Sequence, residues 1–352
     1  MGERRNIVEL WRRGEAVALA TLVRVEGSSY RRVGARMLVA ANGEHAGSVS
    51  GGCLEAEVVR KAGWITRGGT VVERYSTLFD DTAELPYGLG CGGTVDLLIE
   101  PAGTAEFEAA MSALEASLRG ERWRLISQIP DIGRPLRRCV LDEMGGLAFR
   151  SQAGPVDSAG PHFDEWLEPP QRLFVFGAGD DAQPLVSMAA LLGWNVTVVD
   201  GRAQMARSER FPQAERVVVA STLDGLNVTS RDAVVVMTHS FEQDRAWLTA
   251  LLPLGARYLG LLGARHRSAL LVREAAELLD WSVAQACKGL FAPVGLDLGG
   301  DGATAIALAV IAEMHACCEG KLGVSRRMTP AMVEEQIARG GGSSYLQAQC
   351  AL

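Results

Sequence analysis

Residues 172–183, RLFVFGAGDDAQ, decide the fold of the second half of the chain. A mostly apolar run reads as a buried strand, and a glycine turn then leads into a helix. Gly177-x-Gly179-x-x-Ala182 matches the glycine fingerprint of dinucleotide-binding turns. Asp200 ends the next predicted strand, where such folds often place an acid for a ribose hydroxyl. The pattern predicts a nucleotide-binding type of unit, although tight strand-to-helix packing alone could also require these glycines.

Further strand-like runs follow this turn at 194–200, 216–221, 232–240 and 256–264, and helical segments separate them. The runs are nearly continuous in valine and leucine. Strands of this kind, alternating with helices, are typical of a parallel sheet covered on both faces. The sequence therefore predicts a Rossmann-like, doubly wound domain over 172–320.

Charged residues close to the glycine turn bear on ligand binding. Asp180 and Asp181 are predicted in the first helical turn, where carboxylates cap amides and suit the helix dipole. The same carboxylates would repel a bound pyrophosphate, which counts against simple NAD binding. Arg202 follows Asp200 closely and could offset this charge for a phosphorylated ligand, or could be a solvated surface side chain.

Other polar residues follow the later strands of this predicted sheet. His239 ends one strand, and Arg265, His266 and Arg267 follow the next. Arginine suits an anionic ligand, and imidazole can act as an acid or base near neutral pH. A hydrogen-bonded structural role stays open for each histidine. Asp301 is predicted to be the N-cap of the last apolar helix.

The first half of the chain has a different pattern, with short strands, glycine turns and amphipathic helices. It predicts a small α+β domain with a mixed or antiparallel sheet. A segment rich in Gly, Pro and Ser ends in Pro169-Pro170 and predicts a linker. The predicted organisation is an N-terminal domain, a linker, a Rossmann-like domain and a tail, over 1–150, 151–171, 172–320 and 321–352.

Two glycine-flanked cysteines are the candidate thiols of the first domain. Cys53 follows Gly52 at a predicted strand-to-helix turn, and Cys91 precedes Gly92 in YGLGCGG. Amides at a helix N-terminus bind anions and lower the pKa of a thiol. A thiolate favours soft metals or persulfide chemistry. We expect the two loops to meet, while a buried structural role stays open for both cysteines.

The composition excludes several classes of protein. The net charge is −7 and no basic stripe appears, which argues against a nucleic-acid partner. Seven cysteines without a CxxC pair predict reduced thiols and no structural zinc site. The first residues lack a signal peptide, and no apolar run is long enough to span a membrane. We therefore expect a cytoplasmic protein.

Seven motifs occur in the order expected of the XdhC/CoxI family, the xanthine dehydrogenase accessory factors, which the chain therefore resembles. They cover most of residues 10–318. The chain departs from the pattern at Asp180, where many members have histidine. The motifs are GSSYRRVGARMLV, GSVSGGCLEAEV, GLGCGGTVDLLIEP, VFGAGDDAQPL, MTHSFEQD, YLGLLGARHR and APVGLDLGG.

The resemblance implies a chaperone for the molybdenum cofactor, a pterin with a terminal phosphate and a dithiolene-bound molybdenum. Such a factor binds the cofactor, presents it for sulfuration by a cysteine desulfurase and helps insert it into a xanthine dehydrogenase-type molybdenum hydroxylase. The resemblance implies that the protein catalyses no reaction of its own. Cys91, and less directly Cys53, would lie near molybdenum or hold transferable sulfur. A Rossmann-like crevice with basic rims would suit pterin and phosphate.

Two other functions stay open at this point. The Gly177 fingerprint and Asp200 would also fit an NAD(P)-dependent oxidoreductase, although no hydride-transfer constellation is evident. A factor that binds only the hydroxylase, without the cofactor, is the third alternative. The sequence leaves a monomer and a homodimer both open.

Overall fold

The computed structural model of the chain describes residues 2–52, 54–76, 93–131, 133–157 and 160–323. Within these residues, contacts divide the chain into two compact units. The N-terminal unit is Gly2–Pro169, and the C-terminal unit comprises the described residues from Pro170 onward.

The N-terminal unit is built on two antiparallel sheets. A five-stranded sheet has the order β3-β2-β1-β5-β4, and a four-stranded sheet has the order β8-β7-β6-β9. A short 3-10 turn at Thr66–Gly68 follows the second helix. The elements are α1 (Gly2–Arg12), β1 (Ala16–Glu26), β2 (Arg36–Ala40), β3 (His45–Gly47), α2 (Glu55–Ile65), β4 (Val71–Ser76), β5 (Thr94–Pro101), α3 (Ala105–Leu118), β6 (Trp123–Gln128), β7 (Arg137–Asp142), β8 (Leu147–Arg150) and β9 (His162–Leu167).

Both faces of the five-stranded sheet are covered, which explains the nearly continuous apolar run of β1. Leu19 packs on one side in a core with α1, α3 and the four-stranded sheet. Leu22 packs on the other side with Val58 of α2. The prediction of an α+β unit is confirmed, and the sheets are antiparallel.

Part of the segment predicted as a linker is a strand. Strand β9 pairs with β6, and its Phe163 and Leu167 are buried. Asp164 forms an ion pair with Arg124 of β6 at 2.5 Å. The alternation of PHFDEWL is short and lies between Gly- and Pro-rich flanks, which hid it in the sequence. These residues belong to a sheet of the N-terminal unit and not to a linker.

The C-terminal unit is a six-stranded parallel sheet with helices on both faces. Two 3-10 turns, Ser208–Arg210 and Leu252–Leu254, lie in its loops. The elements are β10 (Arg172–Phe176), α4 (Ala182–Leu191), β11 (Asn195–Asp200), β12 (Arg216–Val219), β13 (Ala233–Val236), α5 (Phe241–Leu251), β14 (Tyr258–Leu261), α6 (Arg265–Leu278), α7 (Val283–Ala286), β15 (Leu290–Phe291) and α8 (Ala303–Cys318).

The strand order of this sheet is β12-β11-β10-β13-β14-β15. This is the 3-2-1-4-5-6 order of the Rossmann fold, so the predicted doubly wound sheet is confirmed. Helices α4 and α8 cover one core, and α5 and α6 cover the other. The two-residue strand β15 was too short to show a pattern in the sequence.

Candidate functional site

A cavity of about 610 Å³ lies at the carboxyl edge of the parallel sheet. Its walls come from the residues after β10, β13 and β14, from the loop between β15 and α8, and from the first turns of α8. The lining residues are Asp181, His239, Leu262, Gly263, Ala264, Arg267, Pro293, Val294, Leu296, Asp297, Leu298, Gly299, Gly300, Ala305, Ile306 and Ala309. Ligands of doubly wound folds bind at this edge.

Asp181 and His239 form a pair at one end of this cavity. The Asp181 Oδ2 atom lies 2.7 Å from His239 Nε2. Asp181 holds the N-cap position of α4, but its side chain makes no capping hydrogen bond. The prediction that this carboxylate caps the helix amides is therefore wrong, because the carboxylate contacts the His239 imidazole instead.

Asp180 is likewise paired with a positively charged side chain that is distant in the sequence. Its Oδ1 atom accepts a hydrogen bond from Arg210 Nη2 at 2.7 Å. Arg210 also donates to the carbonyl oxygen of Ala178 at 2.6 Å, which braces the glycine turn. The carboxylates expected to repel pyrophosphate thus each have a partner. No local signal could reveal Arg210, which lies thirty residues further along the chain.

Arg267 lines the cavity, and its guanidinium pairs with a fully buried carboxylate, that of Asp244. Arg267 Nη2 donates to Asp244 Oδ2 at 2.6 Å. The other oxygen of Asp244 accepts from the amide and hydroxyl of Thr238, at 3.0 and 2.6 Å. Asp244 therefore ties the end of β13 to the first turn of α6. Sequence analysis missed Asp244, since an acid in the first turn of a helix is usually only a dipole partner.

Arg265, His266 and Arg267 were the residues predicted at this edge. Arg265 and His266 are exposed in the first turn of α6 and do not line the cavity, whereas Arg267 does. Asp301 was predicted as the N-cap of α8, but Gly302 occupies that position. The first turns of α6 and α8 thus begin without a side-chain cap.

The fingerprint residues Gly177, Gly179, Asp200 and Arg202 form the turn after β10 and the end of β11. None of the four lines the cavity. Asp200 is buried and accepts from the Ala178 amide at 2.8 Å and from the Arg202 side chain at 2.8 and 2.9 Å. Burial alone would raise the pKa of Asp200, but these hydrogen bonds lower it. The Asp200 oxygens are therefore occupied by hydrogen bonds within this turn.

The glycine-rich turn before α2 is filled by a side chain of its own. Glu55, the first residue of α2, folds back over the helix N-terminus and is 7% exposed. Among the described residues, five amides and two hydroxyls donate to its carboxylate. The amides are those of Val49, Ser50, Gly51, Gly52 and Leu54, and the hydroxyls are those of Ser48 and Ser50.

This arrangement corrects the expectation of an open anion site at that turn. The amide of Gly52 donates to Glu55 Oε2 at 2.9 Å, so it is not available to an external anion or to a thiolate. Burial alone would raise the pKa of Glu55, but the hydrogen bonds from Ser48, Ser50 and the backbone lower it to about 2. The only signal in the sequence is a Glu directly after SGGCL, which looks like an ordinary partner of the helix dipole.

Replacing Glu55 with glutamine is expected to lower the free energy of unfolding by about 2 kcal/mol at pH 7. The pKa of Glu55 is about 2 in the folded chain and about 4.5 in an unfolded one. Its stabilisation is therefore present above pH 4.5 and is lost as the pH falls through 2. Urea unfolding at pH 7 and pH 3 should show the difference shrinking.

Glu108→Gln is the matched control, because Glu108 lies exposed in the first turn of α3. It should change stability by less than about 0.5 kcal/mol. A Glu55 variant as stable as this control would mean that the carboxylate does not hold the turn.

The loop of residues 27–34 lies beside Gly51 and Gly93 of the N-terminal unit. A β-carbon at Gly93 would overlap the carbonyl oxygen of Ser28, and one at Gly51 would lie 3.7 Å from the Tyr30 β-carbon. Cys53, Cys91 and Gly92, the remaining predicted residues, lie outside the described residues.

Three general properties of the described residues complete the geometry. No group of three or more His, Cys, Asp and Glu side chains there is arranged to hold a metal ion. No described helix combines the length and apolar character needed to cross a bilayer. The described cysteines, Cys139, Cys287, Cys317 and Cys318, are free thiols.

Two family models match the chain, one in each unit. The XdhC and CoxI family model matches residues 10–76, and the XdhC Rossmann domain model matches residues 173–314. Together they cover more than half of the chain. The chain belongs to the XdhC and CoxI family. The Rossmann match of this XdhC and CoxI family member runs from β10 into α8 and so includes every wall of the cavity.

Relatives of this family member extend the similarity to both units. A probable xanthine dehydrogenase subunit of Bacillus subtilis is 28% identical over 330 residues, 85% of this chain and 92% of the relative. The molybdenum cofactor insertion chaperone PaoD of Escherichia coli is 25% identical over 310 residues, 88% and 86% of the two chains. A crystal structure described as a xanthine dehydrogenase from Bacillus halodurans superposes with a TM-score of 0.79 and 26% identity, over 95% of this chain and 99% of that one.

Proposed function

We propose that this protein is a molybdenum cofactor chaperone that assists a xanthine dehydrogenase-type molybdenum hydroxylase. The observation that carries the proposal is the similarity to PaoD, a molybdenum cofactor insertion chaperone, which extends over 88% of this chain. The Bacillus subtilis relative, named for xanthine dehydrogenase, points to the same class of partner. The cofactor is the cargo of such a protein and leaves with the partner enzyme.

The cavity of the C-terminal unit supports this proposal by its size and lining. Its volume of about 610 Å³ lies in the range of small-molecule sites. Leu262, Leu298 and Ile306 offer apolar contact for a flat heterocycle. The uncapped first turns of α6 and α8 offer free amides, which suit a phosphate.

An NAD(P)-dependent oxidoreductase is the second candidate, motivated by the Gly177 fingerprint. Two features weigh against it. The Asp200 carboxylate, which would bind a ribose hydroxyl, accepts from the Ala178 amide and from Arg202. The cavity walls also come from the residues after β10, β13 and β14 and from the loop after β15, and no residue of β11 lines the cavity. Titration with NADH and NADPH, followed by thermal shift, separates the two candidates.

The thiol chemistry is part of the same proposal. Cys91 and Cys53, next to Gly92 and Gly52, would contact molybdenum or carry sulfur delivered by a cysteine desulfurase. We also propose a cytoplasmic location and keep a homodimer as one form of the protein. Molybdenum and pterin should be quantified in wild type and Cys91→Ala after loading. An equal cofactor content in both would remove Cys91 from the proposal.

Ala305→Trp is expected to weaken binding of the cofactor by at least about tenfold, because the indole would fill the cavity from the first turn of α8. Thr304→Trp is the matched control, since Thr304 is exposed and does not line the cavity. Binding is measured with cofactor released from a purified molybdoenzyme. If the two variants bind the cofactor equally, the cavity is not its site.

A further inference from the structure

Asp181 and His239 lie on either side of the topological switch point of the parallel sheet. Asp181 follows β10 and His239 follows β13, and the strand order reverses between these two strands. The crevice of a doubly wound fold opens at this point. Both residues also line the cavity. The pair therefore lies where a ligand in the cavity would meet the end of the sheet.

Each of the two residues departs from a local preference to make this contact. His239 has a φ of +64°, a left-handed conformation that is uncommon for residues other than glycine. Asp181 holds a helix N-cap position without capping the helix. Two such departures in one contacting pair beside a cavity indicate a functional site rather than a packing solution.

The contact determines which imidazole nitrogen is free. Because the Asp181 carboxylate can only accept, the neutral imidazole carries its hydrogen on Nε2, 2.7 Å away. Nδ1 is then a hydrogen-bond acceptor. Among the described residues, none hydrogen-bonds to Nδ1, and the His239 side chain is 62% exposed.

We propose that Nδ1 of His239 accepts a hydrogen bond from an N–H group of a heterocycle bound in the cavity, with Asp181 as its positioning residue. The inference rests on the proposed function, since the ring amide and amino group of a pterin supply such N–H donors. The neighbouring charges are already paired, Asp180 with Arg210 and Asp244 with Arg267. Nδ1 of His239 is thus the acceptor at the sheet end of the cavity, which the Asp297 carboxylate also lines.

Asp181→Asn tests the inference, because an asparagine amide can donate to Nε2 and move the imidazole hydrogen to Nδ1. The acceptor would then become a donor, and binding of free pterin should weaken by at least about tenfold. Pterin fluorescence measures the binding. Spectra of ¹⁵N-histidine report the tautomer, and the chain has only 5 histidines. Weaker binding together with the changed tautomer, in a variant that unfolds at the wild-type temperature, separates a positioning role from a structural one.

Asp180→Asn is the matched control, because Asp180 is adjacent but does not line the cavity. It should bind pterin as wild type does.

His239→Ala removes the acceptor and tests the inference if Asp181→Asn does not fold. Equal pterin binding by His239→Ala and wild type, or a hydrogen on Nδ1 in wild type, would overturn the inference. If the wild type binds released cofactor but no free pterin, the inference is overturned and the proposed function stands. If the wild type fails to bind the cofactor, the proposed function is refuted.

Discussion

Glu100→Ala is expected to destabilise the N-terminal unit by about 3–5 kcal/mol, the cost of removing one partner of a buried ion pair. Glu100 on β5 and Arg138 on β7 are 0% and 4% exposed at their side chains. Two parallel hydrogen bonds of 2.7 and 2.9 Å join the guanidinium to the carboxylate. The pair links the five-stranded sheet to the four-stranded sheet, so its loss affects both.

The arginine left behind would lose the carboxylate that balances its charge. Arg138 would keep neutral acceptors, the Ser127 hydroxyl at 2.9 Å and the Glu106 carbonyl at 2.6 Å, which cannot replace it. A second buried arginine makes this worse. Burial and then the charge of Arg138 lower the pKa of Arg36 to about 9, while Glu100 acts in the opposite direction. Removing Glu100 leaves both cations without that compensation.

Glu115→Ala is the control for this prediction, because Glu115 pairs with the exposed Arg12 at the surface of α3. Surface pairs contribute about 0–1 kcal/mol. Denaturant unfolding, with hydrogen exchange of β5 and β7 reporting the N-terminal unit alone, measures both variants. Equal unfolding midpoints would show that the buried pair is replaceable.

Much of the C-terminal fold could be predicted from the sequence, because its cause is local. Buried parallel strands are continuous apolar runs, and the Gly177 turn marks where the first strand becomes a helix. The family resemblance is carried by motifs in the same turns. The short strands β9 and β15 escaped prediction, since two to six residues give too little alternation to stand out.

The candidate site was only partly predictable, because its decisive contacts join residues far apart in the sequence. His239 was predicted, but its partner Asp181 lies fifty-eight residues away and has the sequence context of a helix cap. Arg265 and Arg267 were both predicted, but only Arg267 lines the cavity, since the periodicity of a helix does not tell which face meets a cavity. Glu55 shows a different limit. Its contacts are local, but their number depends on a backbone conformation that composition does not reveal.

Gly177→Ala is expected to lower the free energy of unfolding of the C-terminal unit by about 3–5 kcal/mol, through strain and overlap together. Gly177 has a φ of +125°, which L-residues rarely adopt. A β-carbon there would overlap the carbonyl oxygen of Met237 and lie 2.9 Å from the Thr238 α-carbon. Both neighbours are backbone atoms, so no side-chain rotation can make room.

The surrounding strands cannot move apart to accept the methyl group. The Gly177 amide donates to the Val199 carbonyl at 2.8 Å, and the Met237 amide donates to the Phe176 carbonyl at 2.8 Å. The turn is thus held between β11 and β13. Any shift would break these hydrogen bonds and displace His239, which lies two residues beyond Met237.

Gly225→Ala is the control for this prediction. Gly225 also has a positive φ, +75°, but a β-carbon there would meet nothing within 4 Å. It should therefore cost about 1 kcal/mol, the conformational penalty alone. Thermal unfolding of both variants measures the difference, which combines the cost of the overlap with the greater strain of a φ of +125°. If Gly177→Ala proves no less stable than Gly225→Ala, the turn can relax, and the glycine serves a bound ligand rather than the packing of the sheet.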